Sequence, residues 1–142
     1  MEKCVFCKQI NDGSLSSRTI YEDKEFIAFL DAANLTKGHT LVIPREHVKY
    51  VWGYRDQEGY FKIVSLTAKH LMKALNIDTV HTLISGTSVP HAHVHLLPNT
   101  SGIWFKVIDY LRSERKKMSQ EQIKIDPDFV KKLKFKEKLN GF

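Results

Sequence analysis

The chain has 142 residues, of which 42% are hydrophobic and 27% are charged, so its composition is that of one ordinary globular domain with a sizeable core. No run approaches the ~20 apolar residues that a membrane span needs, and the first residues lack the apolar stretch of a secretory signal, which predicts a cytoplasmic protein. The formal net charge is +6, and residues 106–142 supply most of it with 11 basic and 6 acidic side chains.

The first feature along the chain is a pair of cysteines, Cys4 and Cys7, three positions apart. In a reducing compartment such a pair indicates a metal clip or a redox motif before it indicates a disulfide. Residues 19–22 and 25–31 follow as two strand candidates separated by two turn residues, which predicts a hairpin. The second candidate is apolar on both faces, so we expect it to lie inside a sheet.

Residues 39–44 form a further apolar run that ends at Pro44, and they predict another strand. Between residues 56 and 75, apolar side chains recur at spacings of three and four, which is the period of an amphipathic helix. Asp56 is suited to cap the start of this helix, and Asn76 is suited to end it. Residues 79–85 are rich in β-forming side chains and predict a strand that pairs with the segment after it.

That next segment holds the least probable pattern in the sequence, because His91, His93 and His95 alternate with apolar residues between Pro90 and Pro98. Side chains two apart share one face of a β-strand. A strand would therefore line one face with histidines and bury the apolar residues in a core.

Beyond Pro98 the sequence is less informative. Asp126 before an apolar periodic run predicts a short C-terminal helix. The basic side chains of residues 106–142 either contact nucleic acid or polyphosphate or are simply solvated. All elements together predict an α+β domain with mainly antiparallel strands, one long helix and short flanking helices.

Three histidines on one strand face have three explanations. They could ligate a metal such as zinc, act as nucleophile, base or acid near neutral pH, or have no role. His91 and His95 are ~13 Å apart along a strand, so a single ion can take only one of the three histidines. The other two would then remain free for catalysis.

The run from His91 to Leu97 resembles the signature of the histidine-triad (HIT) superfamily, in which three histidines alternate with apolar residues. Other stretches resemble further landmarks of the family, in its order and spacing: Cys4-Val5-Phe6-Cys7, Phe29-Leu30-Asp31 and the stretch from Lys37 to His47. The resemblance covers residues 4–98 and implies a HIT-like fold with about five antiparallel strands. Residues 1–98 would form the core, and residues 99–142 would be a basic extension that is either part of the same domain or packed loosely on it.

The resemblance implies a nucleotidyl hydrolase or transferase that cleaves a nucleoside phosphoramidate, a phosphoester or a dinucleoside polyphosphate. His93 would attack the α-phosphorus and form a covalent intermediate, His95 would contact the phosphate and help to protonate the leaving group, and His39 would orient the histidine strand. The expected nucleotide-binding residues are Asp31 at the ribose, Phe6 and Phe29 beside the base, and Thr87 and Ser88 near the phosphate oxygens.

The same resemblance makes the cysteine pair part of a candidate zinc site. Cys4, Cys7, His47 and His91 form a Cys₂His₂ set of the kind that zinc-binding members of the superfamily use. The ion would be structural and four-coordinate, and it would clip the N-terminus to the sheet. The alternative is a pair of reduced, unligated cysteines. The sequence shows no carboxylate cluster that demands Mg²⁺, and family members commonly form homodimers.

Three classes of function stay open on the sequence. The leading one is an enzyme that acts on a purine nucleotide or dinucleotide. The second is a nucleotide-binding regulatory protein whose turnover is incidental. The third is a zinc-stapled module that binds nucleic acid through the basic tail, with binding that weakens steeply as salt rises. Substitution of His93 by alanine separates them, because it abolishes function only in the first.

Overall fold

A computed structural model describes residues 3–86, 88–100, 102–117 and 126–135. The helices are α1 (Val5–Asp12), α2 (Gln57–Leu75), α3 (Ile103–Lys117) and α4 (Pro127–Leu133), with 3₁₀ turns at Ser16–Arg18 and Val51–Gly53. The strands are β1 (Thr19–Glu22), β2 (Phe26–Leu30), β3 (Thr40–Pro44), β4 (Val80–Leu83) and β5 (Val94–Pro98). Within these described ranges, every helix is too short or too polar to cross a membrane.

The chain divides into two compact units, Met1–Trp104 and Phe105–Phe142. The first unit contains the whole sheet together with α1 and α2. The second contains most of α3 and all of α4, and α4 begins after Asp126 as the sequence predicts. The carboxylate of Asp126 caps α4 by accepting a hydrogen bond from the backbone N–H of Phe129 at 2.9 Å.

The five strands form one antiparallel sheet in the order β1-β2-β3-β5-β4, which confirms the predicted α+β class. β1 and β2 make the predicted hairpin, and β4 pairs with β5 as expected. β2 lies between β1 and β3, and four of its five residues are buried, in agreement with its apolar sequence. One row across the sheet runs from Thr19 through Phe29 and Leu41 to His95.

The long helix α2 covers one face of the sheet. The apolar core on this face includes Ala28, Val42, Ala92, Val94, Leu96, Tyr60, Val64 and Leu71. The hydroxyl of Tyr60 donates a hydrogen bond to the carbonyl of Val42 at 2.8 Å, which joins the helix to a central strand without leaving a buried polar atom unpaired. Both ends of α2 are where the sequence predicts them: Asp56 accepts from the N–H of Gly59 at 2.9 Å, and Asn76 adopts a left-handed φ of 50°.

The short helix α1 packs on the opposite face. Phe6 points from α1 into a second cluster with Leu15, Ile27, Phe29, Leu41 and Ile43. The sheet is therefore covered on both sides, which explains why β2 and β3 are apolar on both faces. The histidines of the β5 segment project toward the side of α1, since Phe6 contacts the rings of both His91 and His93.

The predicted start of the last strand at residue 90 is wrong, because β5 begins only at Val94. The backbone N–H of Ala92 donates to the carbonyl of Val48 at 2.6 Å, outside the sheet ladder. The carbonyl of Pro44, at the end of β3, accepts from the His91 ring at 2.8 Å, and proline has no N–H to offer to the ladder. The ladder between β3 and β5 ends at the pair of Val42 and Val94, two residues before Pro44. The alternation of apolar and histidine side chains nevertheless continues back through Ala92.

Candidate active site

A cavity of about 240 Å³ opens on the face of the sheet that α1 covers. It brings together six residues that the sequence predicts for the site: Phe6, Phe29, Asp31, Ser88, His93 and His95. Thr87 lies outside the described residues. His39 stands behind the cavity, where its ring contacts that of His95 with 5.2 Å between the ring centres. The structure thus places residues from α1, β2 and β5 around one opening.

The backbone selects the tautomer of the neutral His93 ring. Its Nδ1 lies 2.7 Å from the carbonyl oxygen of His91, and because a carbonyl only accepts, Nδ1 carries the proton and donates it. The second nitrogen of a neutral imidazole, Nε2, then has a free lone pair. Since the residue is only 3% exposed and packs edge-on against Phe6, that nitrogen has a fixed position at the cavity wall.

A chain of hydrogen bonds sets the protonation of His95 in the same way. The backbone N–H of Leu35 donates to Nδ1 of His39 at 3.1 Å, so the His39 proton sits on Nε2. That Nε2–H lies 2.9 Å from Nδ1 of His95 and donates to it. Nε2 of neutral His95 therefore carries a proton. The two triad histidines in the cavity are complementary, because His93 offers a lone pair where His95 offers an N–H.

Burial keeps His39 and His95 uncharged at neutral pH. It lowers the pKa of His95 to about 4, and the neighbouring His93 and His39 act in the same direction. Burial also lowers the pKa of His39, which Asp31 opposes, since a carboxylate oxygen of Asp31 lies 3.6 Å from Nε2 of His39. A neutral His95 is the form that can accept from His39.

The loop between β2 and β3 brings Asp31 and His39 together. The backbone N–H of Asp31 donates to the carbonyl of His39 at 2.9 Å, and one carboxylate oxygen of Asp31 accepts from the N–H of Ala33 at 3.0 Å. Gly38 precedes His39 with a φ of 89°, a conformation that favours glycine. The Asp31 side chain remains 21% exposed at the cavity, so its carboxylate is available to hydroxyl groups of a ligand.

Beside the cavity, the four predicted zinc ligands form a cluster. The ligand atoms of Cys4, Cys7, His47 and His91 all lie within 4.8 Å of one another. Sγ of Cys7 is 3.2 Å from Nδ1 of His47 and 3.5 Å from Nδ1 of His91, and Sγ of Cys4 is 3.4 Å from the latter nitrogen. A tetrahedral zinc ion with bonds of about 2.3 Å to sulfur and 2.0 Å to nitrogen separates such atoms by about 3.5 Å. The donor set and its spacing therefore fit a metal ion.

The protonation of the cluster also suits a cation. His91 donates from Nε2 to the carbonyl of Pro44, which directs its Nδ1 lone pair toward the cysteines and is the usual outer contact of a metal-ligating histidine. Burial raises the pKa of Cys7 to about 11, and the hydrogen bond and charge of Cys4 add to the rise. A cation must displace a proton from this thiol, so metal affinity is expected to increase with pH.

Two residues connect the cluster with the cavity. His91 offers its ring to the cluster, while its carbonyl holds the proton of His93. Phe6 stands between the two cysteines in the sequence, and its ring packs against both His91 and His93. The cluster and the His93 ring therefore share two neighbours, one peptide carbonyl and one aromatic ring.

Sequence reasoning missed several residues at this site. Gln9 and Arg18 line the cavity, and the N–H of Leu35 fixes the protonation of His39. Gln9 lies one helical turn after Phe6, so the helical period of α1 could have indicated it. Nothing local in the sequence marks Arg18 or the Leu35 amide.

Comparison with known proteins identifies close similarities. A family model described as HIT domain matches residues 12–102, a range that holds the cavity histidines and excludes Cys4 and Cys7. The protein hit of Bacillus subtilis is 38% identical over 104 residues, which cover 68% of this chain and 71% of that protein. Adenosine 5'-monophosphoramidase HNT1 of Saccharomyces cerevisiae is 34% identical over 100 residues, or 67% of this chain and 61% of that protein. A solved structure described as a HIT family hydrolase from Clostridium thermocellum has a TM-score of 0.60 at 29% identity and covers 71% of this chain and 94% of that one.

Proposed function

Because this chain belongs to the HIT family, we propose that it is a nucleotide hydrolase or transferase that works through a covalent nucleotidyl-histidine on His93. The observation that carries the proposal is the free Nε2 lone pair of His93 at the wall of a cavity that also contains Asp31 and His95. Imidazole with a free nitrogen attacks phosphorus at neutral pH, and once phosphorylated and cationic it is a good leaving group.

The first step transfers the nucleotidyl group to the enzyme. Nε2 of His93 forms a bond to the α-phosphorus while the bond from phosphorus to the leaving nitrogen or oxygen breaks. His95 donates its Nε2–H to a phosphate oxygen and stabilises the charge that develops there. The negative phosphate raises the pKa of His95, so in the complex this residue takes up a proton from solvent and passes it to the leaving group as the bond to phosphorus breaks.

In the second step, a water molecule attacks the same phosphorus, the bond to Nε2 of His93 breaks, and the proton that the water loses passes through His95 to solvent. The products are a nucleoside monophosphate and the original neutral histidine, so the cycle balances without a redox partner. A different acceptor in place of water gives the transferase reaction. The Asp31 carboxylate is proposed to hold the ribose hydroxyls, with Phe6 and Phe29 beside the base and Ser88 near the phosphate.

We propose that the preferred scissile bond is the P–N bond of a phosphoramidate, ahead of the P–O–P linkage of a dinucleoside polyphosphate. Two yeast relatives, 34% identical to this chain, are named adenosine 5'-monophosphoramidases. An amine leaving group needs a proton as it departs, and the His39–His95 chain is the nearest source of one in the cavity. Phosphoester and dinucleoside polyphosphate substrates belong in the same test, because the chemistry at phosphorus is the same.

We assign the cluster of Cys4, Cys7, His47 and His91 to a structural Zn²⁺ ion. When bound, the ion would supply a rigid tetrahedral link and no chemistry at the substrate, since its four positions are filled by protein ligands. Cys4 and Cys7 lie at the start of α1, His47 follows β3, and His91 precedes β5. The ion would therefore join three separate segments of the chain. The reduced cysteines that this needs agree with the predicted cytoplasmic location.

The experiment is a turnover assay with a panel of nucleoside phosphoramidates and dinucleoside polyphosphates, with metal content measured on the same samples. His93→Ala is expected to abolish turnover and to retain nucleotide binding, and the wild type quenched in alkaline denaturant is expected to show a mass increase of one nucleotidyl group. His70→Ala, which changes an exposed histidine of α2, is the matched control. Turnover that survives His93→Ala would favour the alternative, a nucleotide-binding regulatory protein. Light scattering would test the homodimer that the family resemblance implies.

A further inference from the structure

Arg18 is a cationic side chain of the cavity wall that the proposed reaction does not use. It closes the 3₁₀ turn before β1 and is half-buried. Its Nη1 donates to the carbonyl of Leu30 at 2.8 Å, and its guanidinium carbon lies 5.6 Å from the centre of the Phe29 ring. These two contacts hold the guanidinium in place, since one fixes an N–H and the other fixes the plane against an aromatic face.

This guanidinium lacks a carboxylate partner among the residues that the structure describes, whereas Arg45 and Arg55 each pair with glutamates. Arg18 also lines the cavity, together with Asp31 and His93. A guanidinium offers only donors, and one of its N–H groups is used by Leu30. A held arginine with free N–H groups at a ligand cavity calls for acceptor atoms on the ligand.

The position of Arg18 in the sheet decides which part of a nucleotide it meets. Its guanidinium lies over Phe29 on β2, and the row from Phe29 passes Leu41 before it reaches His95 on β5. Two inter-strand steps amount to about 10 Å. A hydrogen bond spans only about 3 Å, so this separation favours a contact between Arg18 and the part of the nucleotide remote from the α-phosphate. The aromatic side of the cavity, where Arg18 lies, is the end proposed above to receive the base.

We propose that Arg18 reads the base and makes the cavity selective for 6-oxopurine nucleotides, those of guanine and hypoxanthine, over adenine nucleotides. The inference rests on the proposed function of the same site. Guanine and hypoxanthine carry the acceptors O6 and N7 side by side, which match the N–H fork of arginine. Adenine places an amino donor where O6 would be, and a guanidinium cannot accept a hydrogen bond from it. Gln9, the other polar side chain at this end, has a donor and an acceptor and pairs with either base.

The test compares the affinities of GMP, IMP and AMP for the full chain by isothermal titration calorimetry. The wild type is expected to bind GMP and IMP about tenfold more tightly than AMP, as one bidentate contact implies. IMP lacks the 2-amino group of GMP, so equal behaviour of these two ligands locates the selectivity at O6 and N7. Arg18→Gln is expected to weaken GMP and IMP by about tenfold and AMP by less than about twofold.

Arg18→Lys keeps the charge without the planar fork, and it is expected to lose the selectivity as Arg18→Gln does. Arg55→Gln, an exposed arginine paired with glutamates, is the control and is expected to change nothing. Equal losses for all three ligands in Arg18→Gln would show a purely structural role and overturn the inference, as would a wild type that binds AMP at least as tightly as GMP. If the wild type hydrolyses phosphoramidates without base selectivity, only this inference is refuted. If it neither binds nucleotides nor hydrolyses phosphoramidates, the proposed function is refuted as well.

Discussion

The pKa of His95 allows a quantitative test of the histidine network. Burial, with His93 and His39 nearby, lowers this pKa to about 4, whereas in an unfolded chain it returns to about 6.5. As pH falls from about 6.5 to 4, the unfolded state takes up a proton that the folded state refuses, so the free energy of unfolding decreases. The full difference corresponds to about 3 kcal/mol, of which about 2 kcal/mol is lost by pH 5.

The assay is urea unfolding at pH 7.5 and pH 5, followed by circular dichroism with a chelator present so that metal release does not contribute. Wild-type protein is expected to lose about 2 kcal/mol more between the two pH values than His95→Gln does, because glutamine does not titrate. The lowered pKa of His91 affects both proteins and cancels in the difference. The amide oxygen of the introduced glutamine is an acceptor for the Nε2–H of His39, which keeps the His39 environment close to that in the wild type. His70→Gln on the exposed side of α2 serves as the control and should behave like the wild type. Equal losses in the wild type and His95→Gln would refute the conclusion that the fold holds His95 neutral.

Three further substitutions probe the metal cluster, the hydrogen-bond chain and the long helix. Metal analysis of the wild type is expected to find about one zinc ion per chain. Cys7→Ser is expected to lower both the zinc content and the melting temperature. A Cys7→Ser protein that keeps its zinc would argue against the cluster as the metal site. His39→Phe keeps a ring but removes both hydrogen bonds, so kcat should fall about 100-fold with little change in KM; a change in KM alone would contradict an orienting role. Asp56→Ala removes the cap of α2 and is expected to cost about 1 kcal/mol in urea unfolding without altering kcat.

Local pattern was enough to predict most of the fold. The spacing of apolar residues and the two end signals, Asp56 and Asn76, locate α2 because a helix depends on neighbours within one or two turns. The alternation around Val94 and Leu96 locates the buried face of β5 for a similar reason, since the side-chain period of a strand is two. Apart from His39, which lies behind the cavity, the predicted site residues that are described also meet at one cavity and one cluster.

What the sequence could not predict depends on segments that are distant along the chain. β5 starts late because the carbonyls of Pro44 and Val48 take hydrogen bonds from residues 91 and 92, and no local signal shows where those carbonyls will be. Arg18 reaches the cavity only because β1 pairs beside β2 and places its preceding turn next to Leu30. The apolar stretch after residue 102 was ambiguous in sequence, and it proves to be the helical segment Ile103–Lys117.

The alternating segment before and within β5 also limits how the length of the chain can vary. Residues 91–96 face the Cys/His cluster or cavity and the α2 core in turn, so inserting or deleting one residue between Val89 and Val94 would exchange the two sets of side chains. Histidines would then enter an apolar core, and Ala92 would replace His91 beside the cysteines. At Gly13, by contrast, the chain turns at an open surface, with no neighbouring atom within 4 Å of the Cβ position. Changes in length should therefore collect at the surface turns, while the spacing from Val89 to Val94 stays constant.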